Sequence, residues 1–292
     1  MLSWLQILRG RQKWPSTLIA WLTHGNEPVG KHVIDTLAQD LNIRNGQFAG
    51  TLYLLEVNQE WHKRSVRSID TDMNRSFSGE WTGYEATRAR EIINYFSDKH
   101  IDYVFDFHST PGDDLPMMIC THTTLSMDIS AIFPIRHLIV GLPELVPGTS
   151  LLEFFHGLWA TDIAFEAGQH NKLETLQFGI QLANTILHHL HNTTLSQENH
   201  KIWDISTSQP QQIIFAQKTI TTVSPHFTFA KQYQSFDIIP TWEIRWHDEH
   251  RTYSFDKDMV ILIPNHSIAK DLQTMKSTWI AHFGTLQDNK HA

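Results

Sequence analysis

Apolar, β-branched runs alternate with amphipathic stretches through the first two-thirds of this 292-residue chain, and that alternation constrains its fold more than any other feature. TLIAWLT at 17–23 is the kind of apolar run shown by a strand buried on both faces. Pro28 follows at a first helical turn, where its missing N–H costs nothing, and Val29, Val33, Leu37 and Leu41 then recur every four residues. TLYLLEV (51–57) predicts a second strand, Ile92, Ile93 and Phe96 mark a helix, and DYVFDF (102–107) predicts a third strand. HLIVGL (137–142) and DIAFE (162–166) extend the series, and Leu173, Leu176, Ile180, Ala183, Leu187 and Leu190 trace the clearest helical face, over 172–191. The pattern is that of an α/β fold. Past residue 195 the segments become short and β-branched, at 213–223, 237–246, 251–256 and 259–264, so residues 1–197 read as a larger α/β domain and 198–292 as a smaller, mostly β domain.

Composition narrows the function classes. The chain carries 23 basic against 31 acidic residues, a net charge of −8, with no dense Lys/Arg run beyond the short Arg9–Lys13 segment, which argues against a nucleic-acid partner. No stretch approaches the roughly 20 apolar residues of a membrane span, and no signal-peptide pattern appears. One cysteine, Cys120, excludes a disulfide framework or a Cys-rich zinc module and reads as a small buried hydrophobe, so a cytoplasmic setting is expected. The unusual count is 19 His.

In open α/β sheets the ligand site lies outside the carboxyl ends of the strands. Strand 17–23 runs into His24-Gly25-Asn26-Glu27, strand 102–107 into His108-Ser109-Thr110, and DIAFE ends in Glu166. Two imidazoles and a carboxylate are the usual protein ligands of a catalytic zinc that keeps one position open. With 19 His, one His-x-x-Glu is expected by chance, so the placement after strands carries this reading more than the spacing does. The segment VRSIDTDMNRSFSG (66–79) reads as a loop. Its Arg67 and Arg75 suit recognition of a carboxylate or developing oxyanion, the plain alternative being a solvated loop of local Asp–Arg pairs.

His24-Gly25-Asn26-Glu27, Arg67, Asp72-Met73-Asn74-Arg75, Asp106-Phe107-His108 and Glu166 in FEAGQ, in that order, resemble the succinylglutamate desuccinylase/aspartoacylase family, relatives of the zinc carboxypeptidases. The likeness covers about residues 17–195, with a weaker one around ILIPNHSIAKD. It implies a mixed-sheet, zinc-carboxypeptidase-like catalytic domain and a zinc-dependent hydrolase that cleaves the amide bond of a small N-acyl amino acid. It makes His24, Glu27 and His108 the ligands of one Zn2+ per chain and Glu166 the general base. Arg67 would stabilise the oxyanion, Asn74 and Arg75 would hold the substrate carboxylate, and Asp106 would orient a neighbouring group. The aspartoacylase branch reads its substrate side chain with an Arg about ten residues before the catalytic Glu. Here that place falls to His156, a substrate-binding candidate that is not an anion fork and disfavours N-acetylaspartate. The branch's C-terminal Tyr has no aligned counterpart.

Two other readings stand beside this one: a carboxypeptidase-like peptidase, and a catalytically silent, metal-stabilised binding protein. His188, His189 and His191 read as solvated residues at a helix end, while Trp61, Trp81 and Trp159 are candidates to shape an apolar acyl pocket. The oligomeric state, a homo-oligomer included, is left open.

Overall fold

A computed structural model describes residues 3–58, 60, 66–79, 82–112, 115–196, 211–224, 226–227, 229, 232–241, 246–247, 252–253, 255–263 and 278–286. Its strands are β1 (Leu5–Arg9), β2 (Ser16–Trp21), β3 (Thr51–Glu56), β4 (Tyr103–Thr110), β5 (Met117–Cys120), β6 (His137–Val140), β7 (Thr161–Gln169), β8 (Gln212–Thr222), β9 (Ile238–Ile239), β10 (Trp246–His247), β11 (Thr252–Tyr253), β12 (Met259–Leu262) and β13 (Thr278–Leu286). Its helices are α1 (Val29–Gln39), α2 (Leu41–Arg44), α3 (Tyr84–Phe96), α4 (Thr124–Ser130), α5 (Leu151–His156) and α6 (Leu173–His191). The fold is mixed α/β. One 11-stranded sheet runs in the order β1-β3-β2-β4-β7-β5-β6-β8-β13-β12-β9.

The parallel quartet β3-β2-β4-β7 positions the chemistry, because its strands end on the same side of the sheet. Each is buried on both faces, which is why its sequence runs apolar without alternating. One face is covered by α1 and α6, through Val29, Val33, Ile34 and Leu37 and through Phe178, Leu182, Ile186 and Leu187. The other is covered by α3 and α5, through Ala89, Ile92, Phe96, Leu152 and Phe155. Gly30 lets α1 approach β2, since a Cβ there would collide with Trp21 and crowd Phe107. Beyond β6, strand β8 pairs parallel with it and β13, β12 and β9 follow antiparallel over a third apolar cluster, so the C-terminal strands continue the same sheet.

Two expectations are corrected. The first helix stops at Gln39, because Asp40 turns extended and caps α2 by accepting the N–H groups of Asn42 and Ile43; Leu41 is therefore 61% exposed rather than on the apolar face. His191 is not solvated. It is fully buried, its Nδ1 donating to the Ala49 carbonyl at 2.5 Å and its Nε2 accepting from Thr17 Oγ1 at 2.9 Å, while His188 and His189 are exposed as read. Burial holds the His191 pKa below its ordinary value, as a neutral imidazole that donates and accepts requires. This residue ties the end of α6 to β2 and to the entry of β3. Among the described residues no helix is long and apolar enough to cross a membrane. The boundary at 197/198, Trp61 and Trp81 lie outside the described residues, as does most of ILIPNHSIAKD.

His191→Ala strands the Thr17 hydroxyl and the Ala49 carbonyl, and should cost about 2–4 kcal/mol in urea unfolding with the native near-UV spectrum retained. A loss below about 0.5 kcal/mol would show that the bridge carries no stability.

Candidate metal centre and active site

β2 ends at Trp21, Leu22 takes a left-handed turn (φ 55°), and the chain delivers His24 and Glu27 over the sheet edge just before α1 begins. His108 lies within β4, in register with Glu166 of β7. These placements bring two imidazoles and a carboxylate together. Glu27 bridges the histidines, its Oε1 2.8 Å from His24 Nδ1 and its Oε2 2.8 Å from His108 Nδ1. All three residues are buried, and one ligand atom from each lies within 4.8 Å of the others, the one such group of three or more among the described residues.

The outer atoms of both rings are also held. His108 Nε2 lies 2.7 Å from Asp106 Oδ2, and Thr23 Oγ1 donates at 3.0 Å to both oxygens of that carboxylate. Asp106, read from the sequence only as orienting a neighbouring group, contacts His108. His24 Nε2 lies 3.1 Å from Asp72 Oδ1. Carboxylates that fix the far nitrogen of a ligating imidazole are the usual support of metal sites.

Burial and Arg67 oppose a proton on His24, but Glu27 and Asp72 outweigh them and raise its pKa. Burial opposes one on His108, but Asp106 and Glu27 raise it well above the ordinary value. Burial also opposes charge on Glu27, yet the two imidazoles hold its pKa far below the carboxylate range. Three carboxylates therefore face the two rings, with the Arg67 guanidinium 2.9 Å from His24 Nε2 as a cation among them, and a divalent cation supplies the remaining positive charge when it takes the place of ring protons. The donor set fits a metal ion.

Arg67 follows the segment 59–65 and is half-exposed; its Nη2 donates to Asp72 Oδ2 at 3.2 Å, with Nη1 3.5 Å from Glu27 Oε1. The loop that carries Arg67 and Asp72 is held from beneath by a residue that sequence reasoning missed. Glu85, fully buried in the first turn of α3, accepts the backbone N–H groups of Ile69, Asp70 and Thr71. The loop then enters a short 3-10 turn, Met73–Arg75, capped by Asp72, and continues beside residues 148–149. Gly148 adopts φ +99° where any Cβ would meet the Arg75 backbone.

The structure brings His24, Glu27, Arg67, His108 and Glu166 together, with Asn74 and Arg75 on the adjoining loop. Asn74 spends its side-chain oxygen on the N–H of Leu151 at the start of α5, which leaves its amide hydrogens facing outward from that bond. Arg75 donates to the Asn74 carbonyl at 2.5 Å. His156 does not join them. Helix α5 starts at Leu151, against the Asn74 side chain, and runs back along the sheet, so its last residue lies at the amino end of β7, where His156 Nδ1 is 3.9 Å from the buried Asp162. Trp159 is 89% exposed in the turn after it, away from the cluster. His282 of β13 was not anticipated either: burial, with Arg75 nearby, pushes its pKa down to about 3.

Glu166 differs from every other carboxylate here. Its buried Oε2 has no hydrogen-bond partner among the described residues, and burial pushes its pKa up to about 7 against the pull of His108. A buried carboxyl with a raised pKa keeps a proton that the unfolded chain surrenders near pH 4.3, so stability is lost as pH rises from there through about 7. In chelator-treated protein, Glu166→Gln should melt roughly 3–6 °C above the parent at pH 8, with the gap shrinking toward pH 5. An equal gap at both pH values would refute a strained carboxylate.

Residues 14–126 match the family described as the succinylglutamate desuccinylase/aspartoacylase catalytic domain. An N-acyl-aromatic-L-amino acid amidohydrolase (carboxylate-forming) of Xenopus laevis is 32% identical over 145 residues, covering 42% of this chain and 46% of the relative, so the chain matches just under half the length of that protein. Among solved structures, a succinylglutamate desuccinylase from Vibrio cholerae superposes with a TM-score of 0.74 at 15% identity, covering 99% of this chain and 87% of that one. The Vibrio parahaemolyticus protein described in the same words gives 0.73 at 15% identity, covering 98% and 86%. At that identity the superpositions establish the fold.

Proposed function

Because residues 14–126 belong to the succinylglutamate desuccinylase/aspartoacylase family, we propose that the chain is a zinc-dependent deacylase that hydrolyses the amide bond of a small N-acyl amino acid. One observation carries the reading: the buried His24–Glu27–His108 cluster lies beside a carboxylate, Glu166, whose free oxygen and raised pKa suit proton transfer near neutrality.

His24, Glu27 and His108 would hold the ion, one Zn2+ per chain. A zinc ion so held supplies Lewis acidity and a water of lowered pKa. Glu166 takes the proton from the attacking water on its unpaired oxygen and passes it to the leaving nitrogen, which departs as an amine. Arg67, half-exposed and aimed by Asp72, donates to the oxygen that gains charge as the carbonyl becomes tetrahedral. Arg75 and the free amide hydrogens of Asn74 grip the substrate carboxylate. We assign these roles within residues 1–197 and treat 198–292 as a β appendage; the proximity of His282 to Arg75 supports a place for it beside the substrate loop.

The X. laevis relative acts, by its name, on N-acyl-aromatic-L-amino acids, and an aromatic or other uncharged side chain is the substrate class we favour. The peptidase reading is separated by a panel of N-acyl amino acids against short peptides, and the silent binding reading by the presence of any turnover.

Purified protein should contain about one zinc per chain, and chelation should abolish turnover that zinc restores. Glu166→Ala should lower kcat about 10²–10⁴-fold with the metal retained, and Asp106→Asn should weaken metal affinity about 10–100-fold. kcat/KM should fall on the acid side as Glu166 becomes protonated, below pH 7 to the extent that the ion's charge favours the carboxylate. A protein that holds no metal at His24, Glu27 and His108, or an undiminished Glu166→Ala enzyme, sinks the assignment.

A further inference from the structure

Four residues beyond Glu166 the sheet carries a device that the roles above leave unused. β4 and β7 run in register through His108 and Glu166, and then the pairing slips: Thr110 meets Gln169, so β7 holds an extra residue. Gly168 absorbs the bulge at φ +120°, in a place where a Cβ would crowd Thr175. Bulges re-aim the side chains that follow them. Here the next side chain is His170, whose N–H donates to the Thr110 carbonyl at 2.8 Å and whose Nδ1 lies 2.8 Å from Ser109 Oγ, the hydroxyl adjacent to His108.

That contact fixes the tautomer. Ser109 is 2% exposed, and among the described residues its hydroxyl meets no acceptor other than His170 Nδ1. A buried hydroxyl proton needs an acceptor, so Ser109 donates, and a neutral ring then carries its own proton on Nε2. Burial holds the ring below its ordinary pKa, and Glu27, Arg67, His24 and His108 all lie close enough to act on it electrostatically. The half-buried His170 thus carries a pre-oriented, uncharged N–H near the His24–Glu27–His108 cluster, at the carboxyl end of β7.

We infer that His170 is a specificity-determining residue of this site, a neutral Nε2–H donor to a carbonyl or hydroxyl oxygen at the acyl or side-chain end of the substrate, which selects N-acyl amino acids bearing no second carboxylate. The inference rests on the deacylase reading. A second carboxylate at this position would be desolvated beside Glu27 and Glu166 with no cation of its own, because Arg67 and Arg75 serve the oxyanion and the α-carboxylate.

The test compares N-acetylphenylalanine, N-acetylmethionine and N-acetylaspartate with the zinc-loaded wild type and with His170→Phe, His170→Gln and His170→Arg. Wild type should favour the uncharged side chains at least tenfold in kcat/KM. His170→Phe should raise KM for them about tenfold with kcat within about threefold and zinc content unchanged, and His170→Gln, which keeps a neutral N–H near the Nε2 position, should recover most of that loss. His170→Arg should shift selectivity about tenfold toward N-acetylaspartate. Two-bond ¹H–¹⁵N spectra should show the Nε2–H tautomer for His170 in wild type and lose that preference in Ser109→Ala. Unchanged KM in His170→Phe, or an Nδ1–H tautomer, overturns the role of His170 while deacylation stands. Absence of turnover on every N-acyl amino acid tested overturns both.

Discussion

Everything at the carboxyl end of this sheet depends on one buried carboxylate shared by two imidazoles. Glu27 and both of its partners are almost wholly removed from water, and an ionised carboxylate so placed is tolerable only when it is paired and fully hydrogen-bonded. The pairing dictates where backbone can go. His24 and Glu27 come from the turn after β2 and His108 from β4, so satisfying Glu27 locks the ends of two adjacent strands and the first turn of α1 into one geometry. The Thr23–Asp106–His108 chain fastens the same two strands a second time. Removing either imidazole leaves half of a buried charge unmet, so the centre is far less tolerant than a surface ion pair would be.

The surrounding loop is fitted to this centre rather than the reverse. Arg67 and Asp72 sit on a segment with no regular structure of its own, and loops of this kind are precise only where something fixes their backbone. Glu85 does so by gathering the N–H groups of residues 69–71, and Asp70 Oδ2 returns the contact by accepting the N–H of Tyr84 at 2.7 Å. Helix α3 and the loop therefore cap one another. Aiming a guanidinium over the cluster thus requires a buried glutamate whose own role involves no chemistry.

How much of this was legible in the sequence depends on how local each constraint is. His24, Glu27 and Glu166 could be read because a strand's end and the residues after it are neighbours in the chain, and the sheet then aligns such ends. The helical faces of α1 and α6 were legible from spacing, apart from Leu41, where the Asp40 cap broke the rhythm, and Leu173, which is 62% exposed in the first turn of α6. His156 misled because a linear count places it near Glu166, whereas a six-residue helix running back along the sheet carries it to the other end of β7. His191 and Glu85 were missed for the opposite reason: their partners, Thr17 and Ala49 in one case and the 69–71 backbone in the other, lie far off in sequence or in groups that every residue possesses. His170 needed a bulge, and Gly168 alone does not announce one.

The two ends of the parallel quartet are treated differently, and the contrast marks the functional end without reference to any motif. At the amino ends the polar groups are engaged: the half-buried Asp102 by the N–H and hydroxyl of Ser16, and the buried Asp162 by Thr121 and Ser126 and His191 by Thr17 and Ala49. At the carboxyl ends, buried polar atoms have no hydrogen-bond partner among the described residues: Asn26 Oδ1 after β2, both amide atoms of Asn58 after β3, and Glu166 Oε2 toward the end of β7, with Gln181 Oε1 in the middle of α6 the one such atom elsewhere. Each unpaired group costs about 1–3 kcal/mol, which folding alone gives no reason to keep at one edge of a sheet. Groups retained at that cost are concentrated on the edge that also gathers the two imidazoles and Glu27, and their concentration there marks that edge as the one where the chain gives up stability.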